Sequence, residues 1–426
     1  PMPSPQTILT WLLGGSLGAA GILQGLHWRA TRAPAAVTEL EKQLRSATEE
    51  IEMLKRENES LRSLAQGGGE LSVPRELISR TEREFGLRFL SSPVVHRIAR
   101  EELRDRIAAA IESRMGPSGI DDRREAWQLT GWLRPDDDLL TQLAAVKAVG
   151  ASGWFDAVTG EAWMLDRADL RNIPDQATLL RLLTRILFHQ HFPPPPAHPG
   201  DDAARAREAL HEGTAAGAEA RFYAEKARNE GFMPMNENSA FKVLFASLPP
   251  LIQGLTNFPE TEGKGFADSL YVQGNETLHA AFRNPPQTTR SIMTPGEDAK
   301  VVAIVPPADI DEPFLTETAG QLGLKLWLRS LDEGVSSEIA AAWRGDRYFL
   351  IPDGEESAAI LWDIELATAE AADRFQKIAG TKVGTTPENR VLSVARVSPT
   401  RVRFLNTAEA ATAEQLGRSS SLGDGK

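Results

Sequence analysis

Several side chains that could bind zinc lie close together in the middle of the chain. They are His189, His191, His198, His211 and Glu212. Zinc accepts neutral imidazole nitrogen and carboxylate oxygen, and a bound zinc can activate water for hydrolysis. On a helix, positions two apart point about 200° from one another, so His189 and His191 could share one ion only if the helix ended before Phe192. A site that uses His189, His191 or His211 with Glu212 therefore stays an alternative.

The composition excludes other kinds of chemistry. The chain has no cysteine, which rules out a Cys nucleophile, thiolate metal sites and disulfides. Its 47 Lys and Arg residues face 59 Asp and Glu residues, a net charge of −12. Nucleic-acid binding needs a concentrated excess of basic side chains, so we expect no nucleic-acid partner.

The N-terminal region has the pattern of a membrane helix. Residues 7–26, which follow a short tail at 1–6, form a stretch without ionisable side chains. At 1.5 Å per residue this is long enough to cross ~30 Å of hydrocarbon, which predicts a transmembrane anchor; a cleavable signal peptide is the alternative. Four glycines on one helix face would let two such helices approach closely. They are Gly14, Gly18, Gly21 and Gly25.

Residues 35–66 have the heptad pattern of a coiled coil. The apolar seam includes Val37, Leu40, Leu44, Ile51, Leu54 and Leu61, with Asn58 at one a position. β-branched residues at a, leucine at d and a single buried Asn are typical of parallel two-stranded coils. The pattern therefore predicts a homodimer, and an amphipathic helix packed on its own globular domain is the alternative.

A glycine-rich linker at 67–74 separates this helix from the rest of the chain, because its glycines and Pro74 do not continue a helix. We expect a globular domain at 75–416 and a disordered tail at 417–426. Helical spacing covers 100–115, 136–151, 176–192 and 201–232, whereas strand patterns occur at 153–165, 299–306, 346–365 and 390–406. The predicted fold class is α+β and helix-rich.

Several short motifs occur in the order found in a known family. They are GWFDAVTG (153–160), LHEGTA (210–215), AAAWRGDRYFL (340–350) and WDIELATAEAADRF (362–375). With them, residues 89–375 resemble a bacterial family of zinc metallopeptidases of the HExxH type. The resemblance implies a zincin-like fold with a His-Glu-x-x-His helix and a third zinc ligand in the Glu-Gly segment.

The chain departs from that family at the zinc helix itself. Alignment on the segment 190–192 places Arg181 and Arg185 at the two histidine positions and Leu182 at the catalytic glutamate, while Glu212 matches the third ligand. Arginine offers no lone pair to a metal, and leucine cannot transfer a proton. We therefore expect no catalytic residues, no metal and no cofactor. We also expect Arg181 or Arg185 to pair with Glu212.

These expectations combine into a membrane-anchored, dimeric pseudo-metallopeptidase that acts as a binding or scaffold protein. The former active-site cleft would take a peptide or a partner protein. The alternatives are an active hydrolase with a displaced zinc site and a structural spacer of the cell envelope. Arg29 and Arg32 after the predicted span favour a cytoplasmic domain. The resemblance favours the extracytoplasmic side of a bacterial cell membrane, and we expect the latter.

Overall fold

The computed structural model describes residues 69–418 apart from 116–118, 196–197, 233–238, 297–299, 308–309, 311, 355–356 and 382–389. Every element named below belongs to the unit Glu70–Lys426. The first half comprises α1 (Arg75–Phe85), β1 (His96–Ile98), α2 (Arg100–Arg114), α3 (Gly119–Thr130), α4 (Leu139–Gly150), β2 (Gly153–Phe155), β3 (Ala162–Leu165), α5 (Ile173–His191) and α6 (Asp201–Glu230).

The second half begins with short helices and ends in a sheet with flanking helices. The helices are α7 (Ser239–Ser247), α8 (Pro250–Asn257), a π-helical turn (Pro259–Gly263), α9 (Lys264–Gln273), α10 (Asn275–Arg283) and α11 (Thr289–Met293). They are followed by β4 (Leu315–Glu317), α12 (Gly320–Arg329), α13 (Glu333–Ala341), β5 (Trp343–Pro352), β6 (Ala358–Leu366), α14 (Ala369–Gly380), β7 (Val391–Arg396), β8 (Arg401–Thr407) and α15 (Ala410–Arg418).

The strands form two sheets. The smaller sheet has the order β1-β3-β2, with β1 parallel and β2 antiparallel to β3. The larger sheet is antiparallel throughout and has the order β4-β5-β6-β8-β7. Every residue of β6 is buried, as expected for a central strand covered on both faces. The predicted α+β, helix-rich class is confirmed.

Helices α5 and α6 pack against each other, and α5 also covers strands β2 and β3. The apolar residues of α5 point to more than one side: Leu179 and Leu183 lie in a core with Phe155 and Met164. Leu187 joins a second core with the phenylalanines of α1 and α10. Because α5 packs into two separate hydrophobic cores, its orientation is fixed. The side chains on its remaining face therefore contact α6 in a defined arrangement.

A close contact between two glycines brings α6 against the π-helical turn. A Cβ atom on Gly213 would lie 2.3 Å from the carbonyl carbon of Gly263, closer than any side chain could be placed. The backbones can approach only because both positions lack a side chain. This contact places the acidic residues of the turn beside the exposed edge of the α5–α6 pair.

The prediction of a transmembrane helix is not supported by the structure. Among the described residues, no helix is long and apolar enough to span a bilayer. The predicted tail at 1–6, span at 7–26 and coiled coil at 35–66, with all of their proposed dimer-interface residues, lie outside the described residues.

Two smaller predictions also change. The strand predicted at 299–306 is absent from its described residues, 300–306. Val302 N–H donates to the Arg344 carbonyl at 2.7 Å, but the segment makes too few ladder hydrogen bonds to form a strand. Leu71, within the predicted linker at 67–74, is buried, and its N–H donates to the Val95 carbonyl at 2.7 Å. The end of that segment is therefore part of the folded domain.

Candidate functional site

Arg181 lies on α5 and makes ion pairs with three glutamates. Its Nη2 donates to Oε2 of Glu212 at 3.0 Å, and its Nη1 donates to Oε2 of Glu219 at 3.2 Å; both glutamates are on α6. Nη2 also donates to Oε1 of Glu260 in the π-helical turn. One guanidinium thus connects three elements, and the predicted pairing of an arginine with Glu212 is confirmed.

Arg185 lies one turn further along α5 and is more deeply buried, with 4% of its surface exposed. Its Nη1 is in ion-pair contact with Oε1 of Glu212, but without the geometry of a hydrogen bond, and its Nε has no hydrogen-bond partner among the described residues. The guanidinium carbon lies 5.0 Å from the ring centre of Phe155 on β2. Arg185 is therefore held by charge and by cation–π contact.

The two guanidinium groups determine the charge of Glu212. Burial alone would raise the pKa of this carboxyl, but Arg185 and Arg181 lower its pKa to about 2. Burial lowers the pKa of Arg185, and the carboxylates of Glu212 and Glu208 oppose that effect. Glu212 is therefore ionised at neutral pH and shared between two cations.

Leu182, which the sequence analysis aligned with a catalytic glutamate, is part of the hydrophobic core. It is 4% exposed and packs with Phe155 and Leu179. A Cβ atom on Gly153 would lie 2.9 Å from Cδ1 of Leu182, so the side chain is pressed against strand β2. The leucine side chain cannot take a proton from water.

The alternative zinc set does not come together. Nε2 of His189 lies 3.2 Å from the Ala157 carbonyl, and Nε2 of His191 lies 2.7 Å from the Arg88 carbonyl. The His211 ring packs edge-on against Phe282 at 4.7 Å. Burial, together with Arg185, lowers the pKa of His211 to about 3. These histidines and Glu212 form no ligand group among the described residues, because each ring faces a different partner.

Within the described part of the chain, the one group with metal-ligand spacing is His198, Asp201 and Glu317. Its carboxylates are already paired: Nε of Arg123 donates to Asp201 at 3.0 Å, and Nη2 donates to Glu317 at 2.5 Å. Hydrogen bonds to Asp201 and Glu317 raise the pKa of His198 to about 9. The buried guanidinium of Arg123 thus neutralises the carboxylates that a metal ion would need, so this group does not fit a metal.

The sequence did not predict the residues that complete the ion-pair networks of Arg181 and Asp201. Glu219 and Glu260 reach Arg181 from 38 and 79 residues away, and Arg123 reaches Asp201 across 78 residues. Charged residues on helices are usually solvent-exposed, so no local signal distinguished these from the others. Only the spacing of Arg181, Arg185 and Glu212 within the family motif indicated a pairing.

Comparison with known proteins adds one match. Residues 312–417 match a family described as a domain of unknown function (DUF8575). The matched segment runs from just before β4 into α15 and so contains the whole larger sheet. No curated protein and no solved structure matches the chain.

Proposed function

We propose that this protein is a non-catalytic binding or scaffold protein built on a degenerate zinc-peptidase-like domain. The observation that supports the proposal is the sharing of Glu212 by Arg181 and Arg185. Two permanent cations stand where the resembling family has two zinc-binding imidazoles, and they use the carboxylate that would be the third ligand. A divalent cation at this place would meet two positive charges at contact distance.

The ion pairs give the domain a structural substitute for a metal. In a zinc peptidase the ion ties its helix to the helix of the third ligand. Here Arg181 makes that connection between α5 and α6 and extends it to the π-helical turn through Glu260. The fold around the site can thus be stable without a bound metal ion and without catalysis.

The ligand we propose for such a domain is a peptide or a partner protein. Recognition of an extended chain depends on groove shape and on main-chain hydrogen bonds, which do not require a metal. The coiled coil predicted at 35–66 would present two copies of the domain in one dimer. A dimer of binding domains gains affinity for a repeated or dimeric partner through effective concentration.

Two measurements on the full chain test this proposal. Hydrolysis of a fluorescent peptide library, with zinc added and with zinc removed by a chelator, should show no cleavage above a buffer control. Chelator-sensitive cleavage that is lost in Glu212→Gln would overturn the non-catalytic assignment. Light scattering should give the mass of a dimer, and Leu44→Lys with Leu54→Lys should give a monomer; a wild-type monomer would contradict the dimeric part.

A further inference from the structure

The segment 301–305, with the sequence VVAIV, lies beside β5 at one edge of the larger sheet. Val302 N–H donates to the Arg344 carbonyl at 2.7 Å, and a Cβ atom on Gly345 would collide with the Val302 carbonyl oxygen. Because β6 occupies the other edge of β5, the segment lies on the outer side of the sheet. It lines a cavity of about 220 Å³ together with the start of α6 at Asp202, so α6 is not packed against it there.

The segment leaves a row of main-chain groups unpaired. It contains no turn or bend, and in an extended chain the N–H and C=O groups of successive residues point to opposite edges. The Val302 N–H faces β5, and so does the Ile304 carbonyl, which accepts from an arginine of β5 at 3.5 Å. The main-chain groups of Val301, Ala303 and Val305 therefore point away from β5, and they make no hydrogen bond among the described residues.

This edge is apolar and exposed. Val301, Val302 and Val305 are 43%, 37% and 48% exposed, and Ala303 is exposed as well. Ile304 is 3% exposed and fixes the segment to its own domain. Natural proteins protect an open edge with charged residues, proline or a bulge. None of these five residues is charged or a proline, so the edge favours pairing with another strand.

The sequence VVAIV is nearly the same in both directions. In an antiparallel pair of two copies centred on Ala303, Val301 would lie opposite Val305 of the second copy, and Val302 would lie opposite Ile304. Every such pair is apolar, and pairs of β-branched residues pack well across neighbouring strands. A twofold axis through Ala303 makes all contacts reciprocal, so the segment is complementary to itself.

The small size of this edge requires that the two copies be held together. A stable interface buries ~800 Å² per partner, and five residue pairs supply much less. The coiled coil predicted at 35–66 ends shortly before the described domain begins at residue 69. It would hold two domains at a high effective concentration, at which a weak contact between them forms.

We propose that the segment 301–305 pairs antiparallel with the same segment of a second copy, so that the larger sheets of two domains become one continuous sheet. This inference rests on the dimer proposed above and names the surface through which its domains meet. The pairing gives hydrogen-bond partners to the main chain of Val301, Ala303 and Val305 and covers exposed valine side chains.

Introduced cysteines test the pairing, because the chain has no native cysteine. In the proposed pair the two copies of Ala303 face each other at a Cα separation of about 5.5 Å, which a disulfide can bridge. The two copies of Val301 would be roughly 13 Å apart along the strands, too far for a disulfide. On oxidation with diamide, Ala303→Cys should crosslink at least tenfold faster than Val301→Cys, and Val301→Cys combined with Val305→Cys should crosslink again.

Hydrogen exchange at residues 300–307 measures the pairing without any substitution at this edge, so it remains decisive if a cysteine variant fails to fold. These amides should exchange at least tenfold more slowly in the wild type than in the variant that combines Leu44→Lys with Leu54→Lys. Equal protection in both proteins would show that another part of the same chain covers the edge, and it would overturn the inference.

The failure of this inference and that of the proposed dimer have different signatures. A wild type with the mass of a dimer, in which a folded Ala303→Cys variant crosslinks no faster than Val301→Cys, would overturn the strand pairing and leave the dimer intact. A monomeric wild type would overturn both.

Discussion

Nη1 of Arg185 on α5 is in ion-pair contact with Oε1 of Glu212 on α6. The other oxygen of this carboxylate accepts from Arg181 at 3.0 Å. Glu212 is thus the common partner of both arginines. This arrangement leads to specific expectations for stability, metal binding and packing.

Replacement of Glu212 by glutamine should destabilise the domain. The substitution keeps the size of the side chain but leaves Arg185, which is 4% exposed, without a counter-charge. Loss of one partner of a buried pair costs about 3–5 kcal/mol, and we expect the lower end because a quarter of Glu212 is exposed. Denaturant unfolding measures this free energy.

Glu260→Gln is the matched control, since it removes a partner of Arg181 whose side chain is 47% exposed. Its effect should stay below about 1 kcal/mol. Equal effects of the two substitutions would show that Arg185 does not depend on Glu212.

The ion pairs also predict a loss of stability in acid. Arg185 and Arg181, acting against the effect of burial, hold the pKa of Glu212 at about 2, below its ordinary value of 4.5. The stabilisation is therefore complete above pH 4.5 and is lost as the pH falls from 4.5 to 2. Unfolding curves of wild type and Glu212→Gln should converge over this range, and a constant difference would contradict the assignment.

Asp202 should have the opposite pH dependence. Burial raises its pKa from 3.8 to about 7, so the folded state favours the protonated form. Its ionisation therefore costs stability as the pH rises from 3.8 to 7, by up to about 4 kcal/mol.

Asp202→Asn keeps the acceptor for Thr289 and removes the charge, so the variant should be more stable than wild type at pH 8. The two proteins should be similar at pH 4. A variant that is less stable at both pH values would show that the carboxylate is required for folding.

The glycine contact between α6 and the π-helical turn should tolerate no side chain. In Gly213→Ala, the new Cβ would lie 2.3 Å from the Gly263 carbonyl, which forces the backbones apart. We expect a loss of roughly 1–3 kcal/mol. Gly265→Ala is the control, because a Cβ there meets nothing within 4 Å. Thermal unfolding should show no loss for the control, and equal losses in the two variants would contradict the close approach.

The secondary structure around the site could largely be predicted from local patterns. Helix α6 was expected at 201–232 and spans Asp201–Glu230, because Gly200 and Gly231 have positive φ at its two ends. Helix α4 begins three residues later than expected. The side chain of Asp138 accepts from Thr141 N–H at 2.8 Å and so acts as the N-cap. Periodicity locates a helix, whereas caps set its ends.

The long-range contacts could not be predicted in the same way. The pairing of Arg181 with Glu212 followed from the motif, but its contacts with Glu219 and Glu260 depend on the packing of α6 and the π-helical turn. The cavity at Asp202 joins α6 to a strand that begins more than 140 residues later. Helical spacing carries no information about such partners.

Introducing histidines at the two arginine positions tests the predicted zincin-like geometry separately from the predicted lack of catalysis. Arg181→His combined with Arg185→His would place two imidazoles at i and i+4 beside Glu212. We expect this variant to bind one zinc ion per chain and to lose it when Glu212→Gln is added. Leu182 is left unchanged because it is buried in the core. A folded double variant that binds no zinc would contradict the zincin-like geometry.

The most direct test of the central claim is the metal content of the purified wild-type chain after dialysis against zinc and then against buffer, measured by atomic emission. If Arg181 and Arg185 occupy the place of the metal, the protein should retain no zinc above a metal-free control protein. Near-stoichiometric zinc that disappears in Glu212→Gln would contradict the claim and would show that Glu212 is a ligand.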